Sequence, residues 1–276
     1  MTESGADVAR SYYNSQDAET FYSTIWGGED IHIGLYTGED DPIAQASRRT
    51  VATLADKLPR LQVGERLLDL GSGYCGGARY LAQRFEVNVD AINVSEVENE
   101  RARRLNDAAG LSSRIAVHDA SFETLPVDDG GYAAAWSQDA ILHSSDRQRV
   151  FHEVARALRP GGVFVFSDPM QSDDCPDGVL DPILARIHLS SLGSVATYRA
   201  HAEAAGLGFE AFDDRTDQLV HHYDAVRKET MARRSELLEA GVDPGYIDRM
   251  LVGLGHWVDG GQRGHLAWGF FTIVKP

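Results

Sequence analysis

The fold is decided by the stretch Leu67-Leu68-Asp69-Leu70-Gly71-Ser72-Gly73-Tyr74-Cys75-Gly76-Gly77. Its apolar residues predict a buried strand, and the glycines after them predict a tight turn into a helix. Such a turn brings backbone N–H groups and a helix N-terminus close to a ligand. Asp69 can accept hydrogen bonds from a cationic or hydroxylated part of that ligand. The spacing D-x-G-x-G, with a further glycine at position 76, predicts a nucleoside cofactor without identifying which one.

Length, composition and charge limit the classes of protein. A chain of 276 residues that is 43% apolar predicts one large domain, or one domain with substantial additions. The net charge of −16 argues against a nucleic-acid or anionic-membrane partner, because such partners select a basic face. Two reasons for the acidity stay open, namely simple solubility and adaptation to a salty cytoplasm.

Cysteine content and hydropathy predict a cytoplasmic protein. Of the two cysteines, Cys75 lies in the glycine-rich stretch and Cys175 far from it, so a disulfide framework is not predicted. No apolar run approaches the roughly 20 residues that span a bilayer. The acidic N-terminus lacks the basic start and apolar middle of a signal peptide.

Hydrophobic periodicity predicts alternating strands and helices. Strands are expected at 66–70, 87–93, 114–119, 132–136 and 163–167, with helical patterns between them. This alternation is typical of a doubly wound parallel sheet. Beyond residue 170 we expect helices at 176–192, 194–205 and 218–254, with further strands at 207–212 and 266–274.

The pattern divides the chain into three functional parts within one fold. Residues 1–55 form an N-terminal aromatic arm and helix, residues 56–170 a cofactor-binding core, and residues 171–276 substrate-chamber helices and closing strands. The arm is rich in aromatic side chains, which are Tyr12, Tyr13, Phe21, Tyr22, Trp26 and Tyr36. Either these rings pack a surface arm on the main domain, or they form a lid over a site; for the group as a whole we favour the lid.

The strand ends supply the candidate cofactor residues. Parallel strands present their carboxyl ends at one edge, where open α/β sheets bind ligands. Asn93 stands where an acidic residue commonly binds ribose hydroxyls, and the segment Ala120-Ser121-Phe122 suits an adenine. The loop from Gln138 to His143 leaves the same edge. Glu98 falls in a Ser-x-x-Glu capping box, and we favour a capping role for it over a ligand role.

Further signals separate S-adenosylmethionine (SAM) from NAD. The turn Arg156-x-Leu158-x-Pro160-Gly161-Gly162 before the fifth strand, together with the closing pair of strands, favours the seven-stranded SAM-dependent plan. Neither a Cys/His metal spacing nor a G-x-S-x-G nucleophile turn occurs in the sequence. His143 can be a base, a substrate contact or a helix-entry hydrogen bonder, and we favour a functional role. The pair His221-His222 is expected on a solvated helix.

The chain then resembles one family closely along nearly its whole length. The matching segments are Tyr12-Tyr13-Asn14-Ser15, Phe21-Tyr22, 25–36, 69–77, Asn93-Val94-Ser95, 136–144, Ser167-Asp168-Pro169-Met170, 246–250, 256–261 and 266–269. They resemble those of bacterial and algal sarcosine/dimethylglycine N-methyltransferases. The resemblance implies an α/β fold with a doubly wound, mostly parallel seven-stranded Rossmann-like methyltransferase sheet, an N-terminal helical lid and C-terminal helical additions.

The resemblance also implies the activity and the sites. It implies methyl transfer from SAM to sarcosine or N,N-dimethylglycine, yielding glycine betaine, an osmoprotectant. The cofactor-binding residues are then expected to be Asp69, Gly71, Ser72, Gly73, Asn93, Val94, Ala120, Ser121, Phe122, Gln138 and His143. The substrate residues are expected to be Tyr22, Trp26, Pro169 and Met170, with Tyr22 and His143 in positioning roles. The donors for the acceptor's carboxylate stay open between backbone N–H groups, His143 and an arginine.

Two other activities remain as alternatives. A SAM-dependent enzyme acting on a lipid, sugar or terpene shares the cofactor half, and its aromatic arm would line an apolar pocket. An NAD-dependent oxidoreductase is the alternative from another class. We expect a small-molecule amine as the partner, no metal, no nucleic acid and no membrane, and a monomer or homodimer.

Overall fold

The sheet is built outward from the strand that precedes the glycine-rich stretch. We analysed a computed structural model, which describes residues 15–27 and 29–276. In that part of the chain a seven-stranded sheet has the order β3-β2-β1-β4-β5-β9-β7. The strands are β1 (Arg66–Leu70), β2 (Asn88–Asn93), β3 (Ile115–Asp119), β4 (Tyr132–Gln138), β5 (Leu158–Ser167), β7 (Gly208–Asp214) and β9 (Gly269–Val274). The predictions for Tyr12, Tyr13 and Gly28 lie outside the described residues.

The strand directions confirm the predicted fold class. β1 to β5 pair in parallel, whereas β9 runs antiparallel to both β5 and β7. The chain extends from β1 through β2 to β3 on one side and then returns to place β4 on the other side. The sheet therefore has its topological switch point between β1 and β4, where doubly wound folds bind ligands.

Alternation along β1 explains why both faces of the sheet are covered. Leu67 packs in one hydrophobic cluster, whereas Leu68 and Leu70 pack in the cluster on the opposite face. Successive side chains of a strand point to opposite faces, so a strand buried on both faces must be nearly all apolar. After the exposed Arg66 at the start of the strand, Asp69 is the one polar residue, and it is only 3% exposed.

Helices flank the sheet and extend the C-terminal part. They are α1 (Gln16–Ile25), α2 (Ile43–Ala55), α3 (Gly76–Phe85), α4 (Glu96–Ala108), α5 (Arg147–Ala157), α6 (Asp181–Arg186), α7 (Val195–Ala204), α8 (Thr216–Ala232), α9 (Arg234–Glu239) and α10 (Pro244–Gln262). The helix expected over 176–192 is shorter than predicted. Pro182 lies in its first turn, and His188 adopts a left-handed φ of 56° just beyond its end, which continuing helix cannot accommodate.

The N-terminal arm is part of a core rather than a loose surface segment. From α1, Phe21 and Ile25 join a hydrophobic cluster that includes Val226 of α8, Leu237 of α9 and Ile247 of α10. Phe21 is fully buried. The arm is thus fixed against the C-terminal helices, which places both on the same side of the sheet edge.

A small second sheet joins two late segments. β6 (Met170–Gln171) pairs antiparallel with β8 (Leu266–Ala267). None of the helices in the described ranges combines the length and the apolar character that crossing a membrane requires.

Candidate active site

The glycine-rich loop is too tightly packed to carry side chains at key positions. Gly71 has a φ of +73°, and a Cβ there would lie 2.3 Å from the Cβ of Ala140. At Gly76, the first residue of α3, a Cβ would lie 2.1 Å from Asp30 Oδ1. Glycine is therefore required at both positions, and the bare backbone of the loop forms the floor of a site.

A first cavity opens above this loop at the switch point of the sheet, with a volume of about 960 Å³ that includes space open to solvent. It is lined by Glu29, Asp30, Ile31, His32, Asp69, Gly71, Ser72, Gly73, Tyr74, Gly76, Gly77, Asn93, Val94, Ser95, Glu98, Ser121, Phe122, Glu123, Trp136, Gln138, Asp139, Ala140 and His143. The structure thus brings together the predicted cofactor residues except Ala120. Ala120 packs instead against the hydrophobic cluster behind β1 and β4.

Polar atoms of the first cavity indicate that it binds a polar ligand. Ser72 Oγ and Gln138 Nε2 are buried and have no hydrogen-bond partner among the described residues. A buried polar atom without a partner is costly, so such atoms commonly mark the place of a ligand. Both side chains belong to the predicted cofactor set. The cavity therefore fits a nucleoside cofactor that carries its own hydrogen-bonding groups.

The ribose end of the site differs from the prediction in one respect. Asn93 Nδ2 donates to Glu98 Oε2 over 2.9 Å and to Asn99 Oδ1 over 3.2 Å. Ser95 Oγ does accept from the Glu98 backbone N–H, as a capping box predicts, but the Glu98 carboxylate lies on the cavity wall. Glu98 is therefore a candidate ligand residue as well as part of a helix start.

Two buried carboxyl groups on the wall of this cavity have pKa values well above the usual range for carboxyl groups. Burial raises the pKa of Glu98 to about 7, partly opposed by the hydrogen bond from Asn93 and by Arg101. Burial also raises the pKa of Asp69 to about 7, with His32 opposing it. A cationic ligand would favour the ionised form of both groups. Within residues 15–27 and 29–276, no cluster of three or more His, Cys, Asp or Glu is arranged to hold a metal ion.

A segment of the arm roofs the first cavity and is held there by ion pairs. Arg79 of α3 donates from Nη2 to Glu29 Oε2 over 2.8 Å, and Arg79 is nearly buried. Arg48 of α2 donates to the backbone oxygen of Gly76 over 3.3 Å and pairs with Asp30. The segment 29–32 was not predicted as part of the cofactor site, because only the folded chain brings it over the glycine loop.

A second cavity of about 640 Å³ adjoins the first. It is lined by Tyr22, Trp26, Ile31, His32, Ile33, Asp139, Leu142, His143, Pro169, Arg186, Ile187, His222, Tyr223, Met250, Leu254 and Trp257. The two cavities share a wall, which we define as Ile31, His32, Asp139 and His143. The two cavities are therefore immediate neighbours at this wall.

The predicted substrate residues reach the second cavity with one exception. Tyr22, Trp26 and Pro169 line it. The structure does not bring Met170 there: its side chain is fully buried in the cluster behind the sheet, and its backbone pairs with Ala267. Side chains alternate along an extended segment, so neighbouring residues face opposite sides.

Two pairs of aromatic rings line the second cavity. Tyr22 and Trp26 lie with their centroids 5.1 Å apart, and Trp26 Nε1 donates to the backbone oxygen of His32 over 3.3 Å. Tyr223 and Trp257 stack at 4.9 Å. Sequence reasoning missed the second pair, since each ring lies on a different C-terminal helix and spacing alone cannot pair them.

The prediction that His222 lies on a solvated helix face is wrong. His222 is fully buried, because α8 packs this face against the arm. Its Nδ1 accepts from the Gly34 N–H over 3.1 Å and lies 3.0 Å from the Tyr36 hydroxyl. Since Nδ1 accepts, Nε2 carries the proton of the neutral ring. Burial lowers the pKa of His222 to about 3, so the ring stays neutral at physiological pH.

Asp139 organises the shared wall. It adopts a left-handed φ of 50°. Its Oδ2 accepts from the Ile33 N–H over 2.7 Å, while its Oδ1 accepts from Ser167 Oγ over 2.7 Å and from Trp268 Nε1 over 2.8 Å. One carboxylate thus ties the arm, β5 and the segment before β9 together at the point where the cavities meet.

His143 lies on the shared wall in a short 3₁₀ turn, Ile141–His143. It is half-buried, and desolvation together with nearby Arg147 lowers the pKa of its ring to about 4. A neutral imidazole at this position can position a ligand, but it is a weak base near pH 7.

Comparisons with known proteins agree with this geometry. Residues 68–166 match the family described as "Methyltransferase domain". The chain is 56% identical to a dimethylglycine N-methyltransferase of Parasynechococcus marenigrum (strain WH8102), over 98% of this chain and 96% of that protein. It is 50% identical to a sarcosine/dimethylglycine N-methyltransferase of Aphanothece halophytica, over 98% of each chain.

A solved structure shares the whole architecture. A protein from Galdieria sulphuraria, provisionally assigned as a sarcosine dimethylglycine methyltransferase, superposes with a TM-score of 0.90 at 42% identity. The match covers 96% of this chain and 98% of that one. The similarity therefore includes the arm and the C-terminal helices that line the second cavity, and is not confined to the sheet.

Proposed function

The chain belongs to the sarcosine/dimethylglycine N-methyltransferase family, and from that premise we propose that it methylates the amines of sarcosine and N,N-dimethylglycine to give glycine betaine. It is a SAM-dependent enzyme, and the comparisons favour this activity over the NAD-dependent alternative. One observation carries the proposal: an aromatic-walled cavity adjoins the cofactor cavity across Ile31, His32, Asp139 and His143. Transfer of a methyl group between two small molecules needs two binding sites that lie next to each other.

The first cavity would hold SAM, which supplies an electrophilic methyl group when bound. The proposed binding residues are Asp69, Gly71, Ser72, Gly73, Asn93, Val94, Ser121, Phe122, Gln138 and His143, to which the geometry adds Glu98. The buried carboxyl groups of Asp69 and Glu98 suit a ligand with cationic groups. Ala120 would support the site from behind rather than contact the ligand.

The second cavity would hold the acceptor amine. Tyr22, Trp26 and Pro169 form one part of its wall, and Tyr223 and Trp257 form another. Aromatic faces attract a quaternary ammonium group, which is what the amine becomes on full methylation. Met170 packs behind this wall and would act on the acceptor only through Pro169.

The residues at the shared wall would position the acceptor rather than exchange protons with it. An amine that has lost its proton already presents a lone pair, so the chain must orient it and exclude water. His143 and Tyr22 lie where they can do this, and the neutral state of His143 avoids repulsion of a cation.

The functional division of the chain follows from these assignments. We propose that residues 1–55 close the site, residues 56–170 bind the cofactor, and residues 171–276 complete the acceptor chamber. We also propose a cytoplasmic enzyme that is a monomer or homodimer. The free cysteines Cys75 and Cys175 suit a reducing compartment.

A substrate panel tests the proposed function. Initial rates with SAM would be measured for sarcosine, dimethylglycine, a simple phenol and a prenyl diphosphate, with the product identified by mass spectrometry. We expect turnover of one or both amino acids, with glycine betaine as the final product. Turnover of the phenol or the prenyl compound alone would replace the proposal with another small-molecule methyltransferase.

A further inference from the structure

An acceptor that is an amino acid brings a carboxylate, and the second cavity has one fixed cation for it. Arg186, the last residue of α6, is the only Lys or Arg among the described residues that line this cavity. It does not belong to the shared wall. A carboxylate at Arg186 would therefore leave the amine free to face the wall that adjoins the cofactor cavity.

A glycine in the middle of a long helix makes room for Arg186. Gly253 lies within α10 and is buried, and a Cβ there would be 2.2 Å from Arg186 Cδ and 2.3 Å from its Nε. Glycine weakens a helix interior, so its presence here has a packing reason. The stem of Arg186 crosses α10 at Gly253, and this crossing directs the guanidinium to the cavity.

Other contacts keep the guanidinium at the cavity. Arg186 Nη2 donates to the sulfur of Met250 over 2.8 Å, and Met250 also lines the cavity. A thioether is a weak acceptor, whereas a carboxylate makes strong, often bidentate bonds to a guanidinium. His222 adds a neutral donor to the same cavity, because its protonated Nε2 is buried without a hydrogen-bond partner in the described part of the chain.

We propose that Arg186, held in place over Gly253, binds the carboxylate of the acceptor and so restricts the enzyme to amines that carry a carboxylate. The inference rests on the proposed function, and it identifies which kind of small amine the second cavity selects. The aromatic walls hold the amine end, and Arg186 holds the acid end. An amine of the same size without a carboxylate, such as N,N-dimethylethanolamine, lacks this contact.

The test compares matched variants in the full-length protein. Arg186→Gln removes the charge, Arg186→Lys keeps it without the planar fork, and Gly253→Ala displaces the guanidinium without changing it. Gly255→Ala is the control, because it lies two residues away in the same helix and a Cβ there meets nothing within 4 Å. KM for dimethylglycine is measured by turnover. The Kd of glycine betaine is measured by calorimetry with S-adenosylhomocysteine present.

We expect Arg186→Gln and Gly253→Ala to raise both KM and Kd by about tenfold or more, since a charge-assisted pair is lost. Arg186→Lys should recover part of the loss, and Gly255→Ala should behave as wild type. The Kd of SAM should stay within about twofold in all variants that fold, since Arg186 does not line the first cavity.

The outcomes separate this inference from the proposed function. Wild-type turnover of dimethylglycine with unchanged KM and Kd in Arg186→Gln overturns the anchor and leaves the function intact. Absence of wild-type turnover, with betaine binding that still depends on Arg186, overturns the function and leaves the anchor. A variant that binds SAM normally but loses only betaine binding supports the anchor even if its stability falls.

Discussion

Two carboxyl groups at the first cavity have raised pKa values, and these should make ligand binding depend on pH. Asp69 and Glu98 are buried carboxyl groups on the cavity wall, and burial raises the pKa of each to about 7. A cationic cofactor interacts favourably only with their ionised forms. Below pH 7 these groups must therefore lose protons when the cofactor binds.

This linkage predicts the pH dependence of SAM binding. Affinity should rise by at least about tenfold between pH 6 and pH 8, because each required ionisation with a pKa near 7 changes the competent fraction by about that factor. Calorimetry at pH 6 in two buffers of different ionisation enthalpy should show net proton release. SAM binding to the Glu98→Gln variant should release fewer protons than SAM binding to the wild-type protein. An affinity that is flat with pH, without proton exchange, would contradict the assigned role of these carboxyl groups.

At this scale the sequence predicted residues next to a strand end and missed those that folding brings in. Gly71, Ser72 and Gly73 follow β1 directly, so their place was readable from strand periodicity and glycine spacing. Asp139 and Arg186 act through partners far away in the chain. Asp139 contacts Ile33 and Trp268, and Arg186 crosses Gly253. No local pattern encodes such pairings.

Among the secondary-structure elements, α1 differs most from what the sequence predicted. Its aromatic residues were expected either to pack on the main domain or to form a lid over a site, and the structure shows packing for one of them and cavity lining for two others. Phe21 is fully buried against the C-terminal helices, while Tyr22 and Trp26 line the second cavity. The helix thus supplies a fixed wall whose orientation depends on its own packing.

Because Trp26 lines the second cavity, we expect its removal to affect the amine substrate and not SAM. Trp26→Ala should lower kcat/KM for dimethylglycine at least about tenfold, on the order of 1.4 kcal/mol, because an aromatic face toward the amine is lost. The Kd of SAM should change little, since Trp26 lines only the second cavity. Trp26→Phe keeps a ring face and serves as the control. Circular dichroism would verify folding, and an unchanged rate in folded Trp26→Ala would remove this ring from the mechanism.

The elements of the sheet were predicted more accurately than those of the chamber. β1 to β5 follow a repeating strand–helix pattern, and all of them except β3 bury most of their residues. The chamber helices α6 and α8 have weaker patterns. α6 spans only Asp181–Arg186, and α8 buries His222. A short helix and a buried histidine both follow from tertiary packing, which overrides local propensity.

In the whole molecule, two cavities lie side by side at one edge of the sheet. The first cavity lies at the switch point of the sheet, beside the glycine-rich loop. The second cavity is lined mainly by the arm and the C-terminal helices, which pack against each other. The Methyltransferase domain match at residues 68–166 covers the lining of the first cavity except the segment 29–32, and it leaves most of the second cavity to the rest of the chain.

Isotope labelling of the methyl donor shows whether a methyl group passes from SAM in the first cavity to an amine in the second. A single turnover with enzyme in excess would use SAM with a deuterated methyl group and unlabelled dimethylglycine, followed by mass spectrometry of the quenched mixture. We predict that the label appears in glycine betaine. The labelled methyl group should be stable to alkali, because it is bonded to nitrogen. Label recovered as an alkali-labile methyl ester, or as methanol without betaine, would contradict it.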